Sequence, residues 1–483
     1  MKNAQVVILC LLVFFQILIF VPYVGEGFIL DDFIWLENIV PDGKVDYLGP
    51  FTKTTGFFRP MVSLTFGLQY QIHGLYPKPY GFFNLFLHIL NIILVYLFLA
   101  GRKETKQYAL GAAFLFAMNA KAAVMAVGWI SGRTTLLVSL FLLLSLYSFF
   151  RLTNKNPVRL ILTAVFYFAA ILSKETAVAA PIFVFFFVFL TCQKSHQRAN
   201  LFNRSKKGLV ASAVFIVPLI VYFLMRFNSN AMTPFTAPDY YKYSFSPLLL
   251  FENLIEYIVR AALLDIYIIF LFLVLTLGSF VWLKNKPDFK KGFDSSSFYM
   301  GVLWFFSFLL VALPISVRSN LYSYFPQVGL HISALAILFA IWSNNIKNKR
   351  VLRNATFLFM CLLLLGWGGY LFTKSASYGK YGKISTQFTE QVVRAVSEMP
   401  SGAKVYIIDR HFGEDFSPSR IIAYGFNSLL NLHYPQKHFK GEIISPTESS
   451  KMKPDPVTFF FIWENRELNP RPLNSEVTPL SLD

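Results

Sequence analysis

The sequence contains few cysteines and few charged side chains for its length. Only three of the 483 residues are cysteine, and charged residues make up 14% of the chain. Cys10, Cys192 and Cys361 each fall inside or beside an apolar segment, and no Cys-x-x-Cys pair occurs. The sequence therefore predicts neither a disulfide framework, nor redox chemistry, nor a cysteine-based zinc site.

Apolar side chains are abundant instead. Hydrophobic residues make up 55% of the chain, and 54 residues are phenylalanine. A soluble domain has too little core volume to bury so many apolar side chains, so we expect lipid to be the solvent. The formal net charge is +18. In a membrane protein such an excess usually reflects basic cytoplasmic loops, so we expect a bilayer and not a nucleic acid as the partner.

Apolar runs long enough to cross a bilayer recur throughout the chain, and we predict about eleven transmembrane helices of about 20 residues each. The first run is long for a signal peptide and lacks a small-x-small cleavage site, so we expect it to be retained. The predicted spans lie at 4–24, 82–100, 107–127, 132–150, 158–173, 176–192, 208–226, 261–283, 297–315, 322–342 and 353–373.

Basic residues orient these helices, because they cluster in alternate loops. The clusters lie at 102–106, 151–159, 194–207, 284–291 and 347–353. The positive-inside rule places these loops, together with Lys2 and the N-terminus, in the cytoplasm. The opposite loops are then extracytoplasmic and lie at 25–81, 128–131, 174–175, 227–260 and 316–321.

The predicted fold is an all-α polytopic membrane domain over 1–373, followed by a small extracytoplasmic α/β domain over 374–483. The composition becomes ordinary and polar after 373. Within this tail, 404–409 and 457–463 have the pattern of strands, and 421–432 has that of a helix.

Two adjacent carboxylates, Asp31 and Asp32, follow the first apolar run and are the leading catalytic candidates. Side by side near a low-dielectric bilayer they cannot both ionise freely, so one is expected to keep a raised pKa. Sugar transfer from a phosphate donor needs a base for the acceptor hydroxyl but hardly needs a general acid, because phosphate leaves readily. The alternative is a solvated pair that caps the start of a helix.

Asn84, His88 and Asn91 recur at helical spacing and make one face of the second span polar. They suit binding of a phosphate or hydroxyl, or a polar seam between helices. Several cations are also expected on the outer face and would together suit a lipid phosphate, although each alone could be a boundary charge. These residues, with one neighbouring acid, are Arg59, Arg133, Lys174, Glu175, Arg226, Arg260 and Arg318.

These residues alone fit a transferase with a membrane-borne phosphate donor, and they also fit a flippase or transporter of lipid-linked sugars. A transporter would predict inverted repeats and charged or broken helices at the bilayer midplane. No repeat is evident, and the polar residues gather at one face. A third alternative is a non-catalytic scaffold that acts through its tail.

Five motifs in order resemble the GT-C membrane glycosyltransferases, in particular the protein O-mannosyltransferase-like branch. They are 30–32 (Leu-Asp-Asp), 58–60 (Phe-Arg-Pro), the Asn84, His88 and Asn91 helix, 129–137 (Trp-Ile-Ser-Gly-Arg-Thr-Thr-Leu-Leu) and 172–176 (Leu-Ser-Lys-Glu-Thr). The resemblance covers roughly residues 1–345. The tetratricopeptide repeats of some members have no counterpart here.

The resemblance implies transfer of a sugar from a polyprenyl-phosphate donor to an acceptor hydroxyl of a protein, lipid or envelope glycan on the extracytoplasmic face. Asp31 would be the base, with Asp32 beside it, and Lys174 and Arg133 would bind the donor phosphate near His88. No cofactor is required, although a divalent metal such as Mg or Mn assists some members.

Two departures from the family pattern stand out. Met125 occupies the position where relatives carry a glutamate, and Leu321 lies where an arginine precedes the Tyr-x-Pro motif, which leaves Arg318 as its substitute. The missing acid weakens the expectation of a metal, so we predict no metal site. Both departures favour the scaffold alternative more than an intact motif would.

The glycosylation sequons bear on the compartment. They occur at Asn203 and Asn354, both in or beside predicted cytoplasmic loops. An outer-face sequon is not evident, which favours a bacterial inner membrane over the endoplasmic reticulum.

Overall fold

The computed structural model describes residues 2–52, 56–151, 158–191, 201–232, 236–262, 293–344, 349–452 and 457–471. Its main helices are α1 Lys2–Phe20, α2 Asp32–Ile39, α3 Pro60–His73, α4 Lys78–Ala100, α5 Ala109–Ala117, α6 Ala120–Gly128, α7 Arg133–Arg151, α8 Val158–Ile171, α9 Ala180–Thr191, α10 Leu201–Asn228, α11 Pro247–Ala261, α12 Ser295–Leu309, α13 Gln327–Asn344, α14 Lys349–Val396, α15 Pro418–Ile421 and α16 Phe426–His433. The strands are β1 Lys404–Asp409, β2 Lys440–Ile444, β3 Thr458–Glu464 and β4 Glu467–Pro470.

The apolar helices make this a multi-pass membrane protein. Three described segments are long and apolar enough to cross a bilayer alone, namely Lys78–Ala100, Ile130–Arg151 and Leu201–Asn228. Shorter apolar helices lie at most of the other predicted runs. The predicted span at 261–283 falls almost wholly outside the described residues, and the total of about eleven spans stays a prediction.

The predicted span at 107–127 is not a single straight helix. It is divided into α5 and α6, which are bent by 61° at the break. Asn119 lies at the break, and its side chain accepts a hydrogen bond of 3.1 Å from the Ala122 amide. An asparagine that caps a new helix in this way satisfies a free amide that a continuous helix would have used, so the helix restarts here.

The tail contains the predicted α/β structure. Its four-stranded sheet has the order β2-β1-β3-β4, with β1 parallel to β2 and β3 and with β4 antiparallel to β3. The predicted strands at 404–409 and 457–463 correspond to β1 and β3, while the predicted helix at 421–432 is divided into α15 and α16. The 48-residue helix α14 leads into the sheet and crosses position 373, where the domain boundary was predicted.

The predicted extracytoplasmic loop at 25–81, called the first outer loop below, is folded over its described residues and packs on the tail. α3 exposes the apolar side chains of Leu68 and Ile72, as expected of a helix in the membrane interface. α2 packs instead on α16, and Phe33 and Phe426 belong to one buried apolar cluster that continues from α1 into the sheet. The segment that carries the Asp pair therefore lies between the membrane helices and the tail.

Candidate functional site

The Asp pair begins α2, directly after a strained residue. Leu30 has a φ of +55°, which an L-residue with a Cβ rarely adopts. Asp31 occupies the N-cap position of α2, but its side chain makes no capping hydrogen bond, which argues against the simple capping interpretation. Side-chain hydrogen bonds from Ser131 and Trp35 to this carboxyl lower its pKa in part. Among the described residues, its Oδ1 atom is buried without a hydrogen-bond partner. An oxygen in this state is free to accept a proton or a hydroxyl group.

Asp32 is bound to the protein through both carboxylate oxygens. Its Oδ2 accepts a hydrogen bond of 2.9 Å from the Ile29 amide. Its Oδ1 accepts one of 2.7 Å from the Ser131 amide and one of 2.5 Å from the Ser131 hydroxyl. Ser131 belongs to the 129–137 motif, so Asp32 joins the first and fourth motifs. The two acids therefore differ, with Asp31 open and Asp32 anchored.

Burial raises the pKa of both acids because a low-dielectric surrounding disfavours a carboxylate. The pKa of Asp31 rises to about 6. The pKa of Asp32 rises to about 7, through burial and then through the neighbouring Asp31 carboxylate. The two carboxyls therefore release their protons one after the other near neutral pH. A general base must pass between its charged and its neutral form in this pH range.

Arg59 and Glu175 form a bidentate ion pair beside Asp31. The Arg59 Nη2 and Nε atoms donate to the two Glu175 oxygens at 2.6 and 3.0 Å. The Arg59 guanidinium lies 4.1 Å from the centre of the Phe57 ring, whose edge in turn meets Tyr241. The positive charge of Arg59 acts on Asp31 and lowers its pKa in part.

Lys174 lies in the same neighbourhood and is 4% exposed. Its Nζ donates to the Thr135 hydroxyl at 2.8 Å and lies 4.7 Å from the centre of the Tyr322 ring. Burial, with the nearby Arg59 charge, lowers the pKa of Lys174 to about 7. The structure thus brings together five predicted residues: Asp31, Asp32, Arg59, Lys174 and Glu175.

Arg133 and Asn84 lie in a fully enclosed polar seam. The Asn84 amide donates to the carbonyls of Trp129 and Ile130, each at 3.0 Å. Arg133 donates to Asn84 Oδ1 at 3.1 Å, and its guanidinium lies 4.5 Å from the centre of the Phe66 ring. These contacts favour the seam interpretation and hold the Arg133 charge away from any open surface.

His88 and Asn91 continue the seam toward the bilayer interior. His88 Nδ1 lies 2.6 Å from the Tyr324 hydroxyl, and Asn91 donates to the Leu136 carbonyl at 3.0 Å. Both side chains are fully buried. The structure does not bring either side chain next to Asp31.

The remaining predicted cations pair with their own neighbours. Arg318 donates to Glu252 and Asn253, each at 2.7 Å. Arg226 donates to the Tyr222 hydroxyl at 2.8 Å.

A second site was missed by the sequence analysis. A cavity of about 350 Å³ lies between α6, the end of α11 and α14. Lys121, Lys374 and Arg260 line it together with Met125 and Asn320. Arg260 is paired with Glu256, but neither lysine has a carboxylate partner in the described ranges. Lys121 is the only charged residue of the 107–127 run. An isolated charge in an apolar run was the sequence signal that could have pointed to this cavity.

One turn of the chain contacts both the cavity and Lys174. Asn320 of this turn lines the cavity and accepts a 2.5 Å hydrogen bond from Arg260. Tyr322, two residues later, contacts Lys174.

The residues beside Asp31 are a poor fit for a divalent metal. Both Asp32 oxygens and both Glu175 oxygens already accept hydrogen bonds, which leaves one free carboxylate. Met125, at the position where an acid was expected, takes a 3.7 Å contact from the Ser319 hydroxyl. Within the described ranges, His, Cys, Asp and Glu side chains do not converge in threes.

Comparison with known proteins gives one match in sequence. No protein-family model matches the chain. Over 126 residues the chain is 35% identical to protein O-mannosyl-transferase Tmtc1 of Drosophila melanogaster. This chain resembles a protein O-mannosyltransferase. The match covers 26% of the chain and only 15% of that protein, and it confirms the predicted resemblance to GT-C membrane glycosyltransferases.

Two solved structures are also similar, at low identity. ArnT from Cupriavidus metallidurans bound to undecaprenyl phosphate has a TM-score of 0.47 and 13% identity, and the match covers 95% of this chain and 93% of that one. The archaeal oligosaccharyltransferase AglB from Archaeoglobus fulgidus, in complex with an inhibitory peptide and a dolichol-phosphate, has a TM-score of 0.47 and 13% identity. That match covers 91% of this chain and 64% of AglB.

Proposed function

We propose that the chain is an integral membrane glycosyltransferase that moves a sugar from a polyprenyl-phosphate donor to an acceptor hydroxyl on the extracytoplasmic face. The open Asp31 oxygen beside the anchored Asp32 is the observation that carries the proposal. The sequence similarity to a protein O-mannosyltransferase supports the reaction class.

Asp31 acts as the base in this reaction. It takes the proton of the acceptor hydroxyl, whose oxygen attacks the anomeric carbon of the donor sugar. The bond between that carbon and the phosphate oxygen breaks, and the phosphate departs with the electron pair, so the anomeric configuration inverts. Phosphate leaves without a general acid, which agrees with a site that holds one open carboxylate.

We assign the donor phosphate to the cavity that Lys121, Arg260 and Lys374 line. Among the described residues, Lys121 and Lys374 have no carboxylate partner, and the Glu256 carboxylate that also lines the cavity is paired with Arg260. Two such ammonium groups attract an anion, and the volume of about 350 Å³ accommodates a phosphate with part of its sugar. Lys174 stabilises the negative charge that develops during the reaction near Asp31. Arg133 holds the polar seam together.

The membrane arrangement completes the proposal. In this proposal about eleven spans separate a cytoplasmic N-terminus from an extracytoplasmic tail, and the Asp pair lies on the side of the tail. The bacterial inner membrane is the proposed compartment. The tail and the 227–260 loop border the acceptor side.

Release of polyprenyl phosphate by the protein in nanodiscs tests the proposal. A panel of radiolabelled polyprenyl-phosphate sugars is offered to wild type, to Asp31→Asn and to Asp42→Asn, which changes an exposed acid of the same loop. We expect release by wild type and Asp42→Asn, and a loss of roughly 100-fold or more in Asp31→Asn. Equal rates in all three folded proteins would reject Asp31 as the base and favour the scaffold alternative.

The phosphate assignment has its own test. Lys121→Met and Lys374→Met combined should raise the KM for the donor roughly tenfold or more, because each removes a charge that binds phosphate. Lys383→Met is the matched control on α14, since it does not line the cavity. An unchanged donor KM in the double variant would reject this cavity as the phosphate site and favour Lys174 as the residue that binds the donor phosphate.

A further inference from the structure

The tail holds the backbone of the first outer loop just before Asp31. The Thr386 hydroxyl donates to the Glu26 carbonyl at 2.7 Å, and the Ser385 hydroxyl donates to the Phe28 carbonyl. The Leu30 amide donates to the Ile421 carbonyl at 2.5 Å. Three backbone groups of five consecutive residues are thus fixed by α14 and α15.

The two backbones touch at this point. A Cβ atom on Gly27 would lie 2.1 Å from the Gly382 carbonyl oxygen, and one on Gly382 would lie 2.8 Å from the Gly27 amide nitrogen. Both positions therefore need glycine for the loop to reach α14. The approach leaves no room for a solvent layer between the loop and the helix.

The strained Leu30 is stabilised by the same contact. A left-handed φ costs an L-residue about 1 kcal/mol or more, so the surrounding structure must hold it. The Ile421 carbonyl binds the Leu30 amide, and Gly425 packs so closely on the Leu30 carbonyl oxygen that a Cβ there would lie 2.8 Å away. The conformation of Leu30 sets the direction in which Asp31 leaves the loop.

The sheet fixes α15 in turn. Asp409 ends β1 and is fully buried. Its carboxylate accepts from the Ser419 amide at 3.0 Å and from the His411 amide at 3.1 Å. In open parallel sheets this carboxyl edge commonly receives a ligand. Here α15, which follows β1 at this edge, contacts the first outer loop of the chain itself.

We propose that Thr386, Ser385 and the Ile421 carbonyl are positioning groups for Asp31, so that the tail is part of the catalytic machinery without touching substrate. This inference rests on the proposed function for its kinetic consequence. Its structural consequence does not depend on that function. Loss of these contacts should let Leu30 leave its left-handed conformation and let the Asp31 side chain move. Binding of the donor should continue, because these groups do not contact it.

The test compares variants that differ by single hydroxyl groups in the full-length protein in nanodiscs. Thr386→Ala and Ser385→Ala, alone and combined, remove the contacts, whereas Thr386→Ser keeps its hydroxyl. Ser377→Ala is the matched control, since this serine of α14 donates to the Thr373 carbonyl of its own helix at 3.0 Å. Hydrogen exchange of peptides covering 26–36 and the kcat and KM of donor turnover are measured for each.

We expect the double variant to exchange roughly tenfold faster over 26–36 and to lose kcat by a similar factor at an unchanged donor KM. Thr386→Ser and Ser377→Ala should match wild type. Unchanged exchange in the double variant overturns the inference. Faster exchange with unchanged kcat also overturns it, since Asp31 would then need no support.

The two proposals fail in different ways. If wild type turns over no donor at all, the proposed function fails, and the exchange measurement still decides whether the tail holds the loop. If wild type is active and the double variant is indistinguishable from it, only the positioning role fails.

Discussion

Asp32 and Ser131 are 99 positions apart and are joined by two hydrogen bonds to one carboxylate oxygen, from the serine amide and from its hydroxyl. This contact ties the first outer loop to the start of α7. It also separates the roles of the two acids, because it occupies Asp32 and leaves the Asp31 oxygen open.

Ser131→Ala should destabilise the protein by about 1–2 kcal/mol, because it removes a buried hydrogen bond to a carboxylate. Ser139→Ala is the control on α7, since that hydroxyl bonds to the Thr135 carbonyl within its own helix. Thermal unfolding in detergent measures the difference. A loss of the same size in both variants would show that the Asp32 contact contributes nothing specific.

The Arg59 and Glu175 pair should show strong coupling. Arg59→Met or Glu175→Gln alone should cost about 3–5 kcal/mol, because each leaves a buried charge without its partner. The double variant should cost less than the sum of the two single changes. A double-mutant cycle by unfolding tests this, and additive losses would mean that the two charges do not depend on each other.

The pH dependence of turnover should follow Asp31. The pKa of its carboxyl is raised to about 6, so kcat/KM should fall as the pH drops through about 6 and protonates the base. The profile is measured from pH 4.5 to 8, with Asp42→Asn as the control that keeps the same midpoint. A flat profile across pH 6 would contradict a carboxylate base.

Stability should show the opposite trend with pH. A carboxyl whose pKa is raised by folding stabilises the fold below its unfolded pKa, and this contribution is lost as the pH rises through the folded pKa. Asp31→Asn should therefore be more stable than wild type at pH 8, by about 3 kcal/mol, and equal to it near pH 3.5. Unfolding at both pH values decides this. Equal stability at pH 8 would mean that Asp31 is not desolvated.

Arg133→Lys should lower stability and leave donor binding unchanged. The guanidinium bonds to the Asn84 side chain and the Tyr80 carbonyl while facing aromatic rings, and an ammonium group cannot reproduce this planar set of contacts. We expect a loss of about 2 kcal/mol in unfolding experiments. A raised donor KM at unchanged stability would instead support the sequence-based expectation that Arg133 binds the donor phosphate.

Local patterns sufficed for part of the site. The Asp pair and the short strands β1 and β3 follow from residue type and spacing within a few positions. The gathering of Asp31, Arg59 and Lys174 was expected from loops that are predicted to share one side of the membrane. These features depend on short stretches or on the bilayer, which acts alike on every segment.

The rest depended on packing between distant segments. The sequence did not show that Arg133 is enclosed, because a cation at a helix end has the same pattern whether rings or solvent surround it. The break at Asn119 was hidden because the apolar composition continues across it. The cavity requires Lys121 and Lys374 to meet from helices that lie more than 200 positions apart in the chain.

The bond from Ser385 to Phe28 spans 357 positions and has a consequence for synthesis. The ribosome makes the Asp loop long before the residues that fasten it, while membrane segments insert in order. A partly made chain would therefore hold both acids with Leu30 unsupported. The loop can take its observed conformation only after Ser385, Thr386 and Ile421 have been made and have folded onto it.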